Sequence, residues 1–413
     1  AIKGLRMLSG GTNVTWGKVL EDIAGRFPDN PAVKSPDGML TYRELNGKAN
    51  QYAHFLLSKH VGQGDVVAVC IESRPELLTL YCACAKIGAI CAMVNTNQRG
   101  ESLVHSFNIN KGKVIVIGEE CLDFFNEAKA DIDLDGSLLY AMEDTGTSLG
   151  AGMEEISALA AAMPDHNPAT TAAVPTKSPA AYVYTSGTTG LPKAAVIINK
   201  RIISALFWWG KVVNTICPDD TVYVPLPFFH TNALTVGWPA ALYNGAAVAL
   251  RRRFSASQFL SDVRQFHVTH FVYVGEVCRY IMAQPEKPDD HQNPLREIMG
   301  NGLRPDIWEP FKKRFGIDFV SFLDENFAVL AKRKKWFDTF RALWVRAGLR
   351  PRCITERRDH DPETCGGIHW GTTAHPAVVT PELLRGFKEL GCAHLDYGLE
   401  SFSDAILTSI DKG

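Results

Sequence analysis

Long apolar runs are scarce in this sequence. The longest, YCACAKIGAICAMV over 81–94, is interrupted by Lys86 and Gly88 and falls short of the roughly 20 residues that a bilayer span requires. The opening AIKGLRML has no apolar leader core, so no secretory signal is read there. There is no long basic tract and the formal net charge is -2, which argues against nucleic acid as a partner. Ten cysteines are present, at 70, 82, 84, 91, 121, 217, 278, 353, 365 and 392, but none forms a CxxC pair or a zinc-knuckle spacing. Most of the early ones stand in apolar runs, where a free thiol behaves as a small hydrophobe. A reduced, cytoplasmic compartment is expected, with peripheral association at a membrane surface left open.

What is present is an alternation of strands and helices, in a chain of 413 residues that can bury two or three cores. LTYREL opens a helix over 40–60, with Thr41 as cap and Glu44 as the capping-box acid. GDVVAVC (64–70), AICAMV (89–94) and KVIVIG (113–118) read as buried strands, separated by helices at 75–88 and 101–109. Strands apolar on both faces, joined by helices, indicate a parallel sheet covered on both sides. Residues 147–178, rich in Ala, Pro and Thr, read as a surface connection with a short helix at 154–163.

The alternation resumes with strands at 181–185, 221–227, 246–250 and 269–274 and helices at 200–212 and 257–266. Beyond 320, KKWFDTFRALW and PELLRGFKELG (381–391) are amphipathic helices by period. AHLDYGLE (393–400) is a strand, and SFSDAILTSI (401–410) starts another helix. The last residues suggest a βα unit cut before its next strand.

The sharpest local feature is YTSGTTGLPKAAV, residues 184–196. It follows a strand and gathers Thr185, Ser186, Gly187, Thr188, Thr189, Gly190 and Lys193. Glycines let the backbone turn tightly and expose N–H groups, hydroxyls add donors, and the lysine adds charge. Together they suit polyphosphate. It is not the GxxxxGK[ST] loop, because no glycine directly precedes the lysine and no hydroxyl follows it. The competing reading is a flexible surface turn.

This loop resembles the phosphate-binding signature of adenylate-forming enzymes. With FPDNPAV (27–33), LTYRELN (40–46), NTNQRGESLVHS (95–106), VPLPFFHTNALTVGW (224–238), LRRRFSAS (250–257), FVYVGEVCRY (271–280) and GNGLRPDIWEPFKKRFGI (300–317), residues 15–317 resemble fatty-acid-transport-type, very-long-chain acyl-CoA synthetases. The resemblance implies an ATP-dependent ligase that makes an acyl-adenylate and transfers the acyl group to CoA, with ATP, Mg²⁺ and CoA as its small molecules. It also implies that 185–193 hold the phosphates and that His230 sits beside the acyl and adenylate site. Gly300, Asn301 and Gly302 would form the turn against adenosine and the acyl chain. Read from the residues alone, the competing reading of His230 is a core or surface histidine, and that of GNG a plain turn. Glu276 is at most a wall residue, and Arg251, Arg252 and Arg253 are a solvated rim before they are a phosphate site.

After FGI the pattern changes. The family's Tyr-Gly-x-Thr/Ser-Glu turn is replaced by DFVSFLDENF (318–327), where Asp324 and Glu325 are the acids at the corresponding distance. Glu325 is the candidate for the missing catalytic carboxylate. The later ribose-binding aspartate and adenylation lysine have no counterpart in 318–413. Residues 318–327 and 381–413 resemble part of a cobalamin-associated radical S-adenosylmethionine enzyme. By that resemblance Asp324 and Glu325 line a barrel mouth, and Glu400 and Ser401 face the cofactor. The Cys-x3-Cys-x2-Cys loop that such an enzyme needs is absent.

The expected fold class is α/β: a doubly wound adenylate-forming N-terminal domain, truncated, joined to a partial (βα) barrel-like segment. Its expected parts are 1–175, 176–317 and 318–413, with a junction at 316–319 and FVSF (319–322) filling the strand slot there. Unless 318–413 packs onto the sheet, self-association through exposed edges is expected. The alternatives to the ligase are a radical enzyme fragment and a non-catalytic nucleotide or acyl binder.

Overall fold

The computed structural model describes residues 15–145, 153–185, 190–213, 216–322, 338, 342, 369–374, 380–389 and 392–397. The chain divides into two compact units, Ala1–Phe254 and Ser255–Gly413.

In the first unit, α1 (Trp16–Arg26) leads into a short hairpin, β1 (Pro31–Ser35) and β2 (Gly38–Thr41), and then α2 (Tyr42–Ser58). The capping box is in place. Thr41 N–H donates to Glu44 Oε2 at 2.8 Å, and Glu44 N–H donates to Thr41 Oγ1 at 3.2 Å. Then follow β3 (Val66–Cys70), α3 (Pro75–Ile87), β4 (Ile90–Met93), α4 (Gly100–Asn108), β5 (Val114–Gly118), α5 (Leu122–Ala128) and β6 (Leu138–Met142). β3, α3, β4, α4 and β5 are the elements that the apolar runs predict, whereas α5 and β6 are not read from the sequence. Every residue of β4 and β5 is buried, as strands covered on both faces must be. Pro75 starts α3, and Gly88, left-handed at φ 73°, ends it.

The stretch 147–178 is more than a connection. Among its described residues, β7 (Glu154–Glu155) pairs parallel with β6, and α6 (Ile156–Ala161) follows. Next come β8 (Pro179–Thr185), β9 (Lys193–Ile198) and α7 (Asn199–Phe207). Seven strands form one sheet in the order β7-β6-β5-β3-β4-β8-β9. All its pairings are parallel except that of β9 with β8.

The helix expected over 200–212 leaves the α form at Phe207 and continues as a wider π turn, Trp208–Val213. Gly210 in that turn packs so closely that an added Cβ would lie 2.6 Å from Tyr243 Cβ. β10 (Thr221–Val224) stops short of the expected residue 227, because Pro225 and Pro227 have no N–H for the ladder. α8 (Trp238–Asn244) and β11 (Ala247–Leu250) complete the unit. β11 pairs with β10 on one side and with β1 on the other, Val33 opposite Val248. β2 lies antiparallel on β1.

The second unit comprises α9 (Phe259–Gln265), β12 (His270–Val274), α10 (Gly275–Met282), β13 (Glu297–Asn301), α11 (Pro305–Phe315), β14 (Phe319–Phe322), β15 (His369–Ala374), α12 (Pro381–Glu389) and β16 (Cys392–Tyr397). Its strands are parallel in the order β12-β13-β14-β15-β16. FVSF thus fills a strand slot, with Val320 opposite Ile298 of β13. Phe259, Phe271, Phe311 and Phe315 form an aromatic cluster between α9, β12 and α11. The expected helices KKWFDTFRALW and 401–410 lie almost wholly outside the described residues.

Candidate functional site

The residues of the expected phosphate loop bridge β8 and β9. Thr185, last in β8, stands opposite Lys193, first in β9, and Thr185 Oγ1 donates to Lys193 O at 3.3 Å. Both are exposed, as is Gly190. Residues in and just after α4 hold both legs of this hairpin. The hydroxyl of buried Tyr184 donates to Ser106 O at 2.7 Å and accepts from the Asn110 amide. On the returning leg, His105 Nε2 lies 3.0 Å from Pro192 O. Lys193 makes no ion pair among the described residues, so no carboxylate there competes for its charge with an anionic ligand. Ser186, Gly187, Thr188 and Thr189 lie outside the described residues.

His230 stands in the turn after β10. Its N–H donates to Pro227 O at 2.9 Å, and its carbonyl accepts from Leu234 N–H at 3.3 Å. The imidazole lies against the Phe229 ring, with centroids 5.0 Å apart. Although the residue is exposed overall, partial burial of the ring lowers its pKa below the ordinary histidine value. A neutral imidazole therefore persists to lower pH than usual, able to donate or accept one hydrogen bond without adding charge.

In the second unit, Gly300 and Asn301 end β13, opposite Tyr273 and Val274 of β12. Gly302 follows in the left-handed region at φ 72°. The backbones run very close here. A Cβ on Gly300 would lie 1.9 Å from Tyr273 O, and one on Gly275 would lie 1.6 Å from Gly302 O. Gly275 is thus as necessary to the GNG turn as the turn's own glycines. The sequence signal was a glycine set directly between the strand FVYV and a helix, with no slack on either side. Glu276 is exposed on α10, and its Oε1 accepts from Arg279 Nε at 2.8 Å. Glu325, Asp324, Glu400 and Ser401 lie outside the described residues.

The three arginines after β11 are not a uniform rim. Arg252 binds Asp144 with both terminal nitrogens and Asp37 at 3.1 Å, while Arg253 Nε donates to Glu72 at 2.7 Å. Their charges are occupied in an ion-pair seam. A separate cleft of ≈ 480 Å³ is lined by Lys48, Tyr52, Glu76, Asp144, Glu155 and Ser157 among others. Among the described residues of the expected site, none borders it.

The family model described as AMP-binding enzyme matches residues 20–323. The chain belongs to the AMP-binding enzyme family. A relative within reach is the medium/long-chain-fatty-acid–CoA ligase FadD6 of Mycobacterium tuberculosis, 40% identical over 307 residues. That match covers 73% of this chain and 49% of the relative. Long-chain fatty acid transport protein 2 of Rattus norvegicus is 34% identical over 306 residues, covering 72% of this chain and 48% of that one. The chain thus spans about half the length of the curated relatives it matches. Among solved structures, the anthranilate CoA ligase AuaEII in complex with anthranoyl-AMP shares the fold with a TM-score of 0.68 at 20% identity. That likeness covers 75% of this chain and 60% of the other. The N-terminal domain of FACL13 from Mycobacterium tuberculosis is similar with a TM-score of 0.65 at 20% identity, over 75% of this chain and 76% of that domain.

The family match runs from within α1 through β14. The six buried cysteines of the described residues are free thiols. Among the described residues, no helix is long and apolar enough to cross a membrane, and no group of three or more His, Cys, Asp and Glu is placed to hold a metal ion.

Proposed function

We propose that this chain carries the nucleotide- and acyl-binding part of a ligase that activates a long or very long chain fatty acid. The fatty acid carboxylate attacks the α-phosphorus of MgATP, forming the acyl-adenylate as pyrophosphate leaves. The CoA thiolate then attacks the acyl carbon, and AMP departs. The observation that carries this reading is the exposed Thr185–Lys193 hairpin base, held from α4, in a chain of the AMP-binding enzyme family.

Carboxylate and triphosphate repel each other, so attack requires donors and positive charge at the phosphates. Thr185, Ser186, Gly187, Thr188, Thr189 and Gly190 supply donors, and Lys193 supplies charge, in this proposal. His230, kept neutral by partial burial, lies beside the acyl-adenylate and offers a hydrogen bond without attracting a second phosphate. Gly300, Asn301 and Gly302 present backbone to adenosine. Glu325 is the carboxylate assigned to the Mg²⁺ of MgATP. We assign no cluster chemistry to 318–413, since the three-cysteine loop is missing from the sequence. The parallel β15–α12–β16 unit supports a βα segment there.

The test is pyrophosphate release with MgATP and a fatty acid series. Lys193→Ala is expected to lower fatty-acid-dependent release by about 10²- to 10³-fold, the usual cost of losing one preorganised charge-stabilising group. Absence of acyl-dependent release from the parent chain would overturn turnover. ATP binding by calorimetry would then identify a nucleotide binder instead.

A further inference from the structure

Between β3 and α3 runs the short segment Glu72-Ser73-Arg74, to which neither the sequence nor the ligase reading gives a role. All three residues are buried, at 9%, 3% and 2% exposure. Each is fixed in a different direction. Glu72 N–H donates to Glu120 Oε1 at 2.7 Å, and the Glu72 carboxylate accepts from Arg253. Arg74 donates to the carbonyls of Met142 and Glu143, both at 3.0 Å, and to Glu120 at 3.4 Å. Held from both neighbours, Ser73 presents its Oγ to the turn after β10 and accepts the Phe228 N–H at 3.1 Å.

Phe228 is 1% exposed and stands two residues before His230. The turn it begins has no strand ladder of its own, since β10 ends at Val224 and Pro225 and Pro227 lack N–H groups. Two further backbone bonds of the turn are local: His230 N–H to Pro227 O and Leu234 N–H to His230 O. The Ser73–Phe228 bond instead spans 155 residues and ties the turn to the β3 end of the seven-stranded sheet. A buried N–H that loses its acceptor must find another, and a turn moves more readily than a clamped strand end.

We propose that Ser73 is a positioning residue for the acyl-adenylate site, setting the place of His230 through the Phe228 backbone. This rests on the ligase reading for what His230 does, but the placement itself belongs to the fold. The bond fixes the turn at one point, and the clamps on Glu72 and Arg74 fix Ser73. Loss of the acceptor releases His230 while leaving the phosphate hairpin at 185–193 untouched.

Two measurements on the full chain separate the parts. In the first, pyrophosphate release is followed for Ser73→Ala, Ser73→Cys and Ser73→Thr. The alanine variant should lose about 10- to 100-fold in kcat with the KM for ATP little changed, the scale expected when a group is displaced by about 1 Å. Cysteine, a weak acceptor in the same place, should fall between, and threonine should restore most of the rate. In the second, the ring resonances of His230, assigned by their loss in His230→Ala, should move in Ser73→Ala and return in Ser73→Thr. If alanine does not fold, the cysteine variant carries both readouts. A kcat that ignores the acceptor series, or His230 resonances unmoved by it, overturns the proposal. Should the parent chain release no pyrophosphate, the ligase reading fails on its own, and the His230 resonances still decide whether Ser73 places that ring.

Discussion

At the scale of single residues, the glycines divide into those that permit an approach and those that merely occur. Gly300 and Gly275 meet backbone, which cannot step aside, at 1.9 and 1.6 Å from an added Cβ. Gly25, exposed on α1, has nothing within 4 Å of its own. Gly300→Ala should therefore destabilise the second unit by about 3 kcal/mol, at the upper end for overpacking. Gly25→Ala should stabilise by about 0.5–1 kcal/mol through helix propensity. Urea melts of the two variants read both signs, and equal effects would show that the close approach at β12 and β13 is not rigid. The sequence made Gly300 and Gly302 stand out because they flank Asn301 in a motif. It gave no such prominence to Gly275, whose constraint comes from Gly302, 27 residues further on and just past β13.

At the scale of elements, local chemistry was readable wherever it is local. The capping box of α2 needs only residues 41–44, and the ends of α3 need only Pro75 and Gly88. The connection between β8 and β9 stood out from its composition as a candidate phosphate loop. Its support from His105, Ser106 and Asn110 was not, because those contacts cross more than 70 residues. The same holds for the arginines. Three in a row read as a rim, yet Arg252 and Arg253 are engaged by Asp37, Asp144 and Glu72 from other elements. Arg74, at 2% exposure, stands behind that seam, 3.4 Å from Glu120 and 3.8 Å from Asp144. Arg74→Met leaves these carboxylates without their buried cation and should cost about 3–5 kcal/mol by chemical denaturation. The seam also has a pH signature. The hydrogen bond from Arg252 holds the Asp144 carboxyl below its ordinary range, against the opposing effect of burial. That contribution is complete above the ordinary aspartate pKa and is lost as pH falls through the depressed folded value. Asp144→Asn should thus lower stability at neutral pH and flatten the acid side of the stability profile. An unchanged slope would assign the acid response to other carboxylates.

At the scale of the whole molecule, strands distant in sequence share sheets. β1 lies on β11 with Val33 opposite Val248, and β8 lies on β4 with Ala92 opposite Tyr182. In the second unit, β14 to β16 prolong the parallel run that β12 and β13 begin. Val320, 1% exposed in β14, is opposite both Ile298 and Trp370. Val320→Asp should cost about 3 kcal/mol, because a carboxylate is buried there without a partner. Amide exchange should quicken in β13 and β15. Unchanged exchange would mean that β14 does not carry its neighbours' stability.

The sequence by itself determined the alternation of strands and helices, the caps and breaks of α2 and α3, and the family, because these depend on residues near one another or on ordered motifs. It also placed a strand at 319–322, because both families that the flanking sequence resembles put a β-strand there. Only the tertiary structure decided the strand order, the ion pairs of Arg74 and Arg252, the hold of His105, Ser106 and Asn110 on the β8–β9 hairpin, and the bond from Ser73 to the His230 turn. Those are pairings at a distance. Many partners of the right chemistry exist along the chain, and packing alone selects which of them meet.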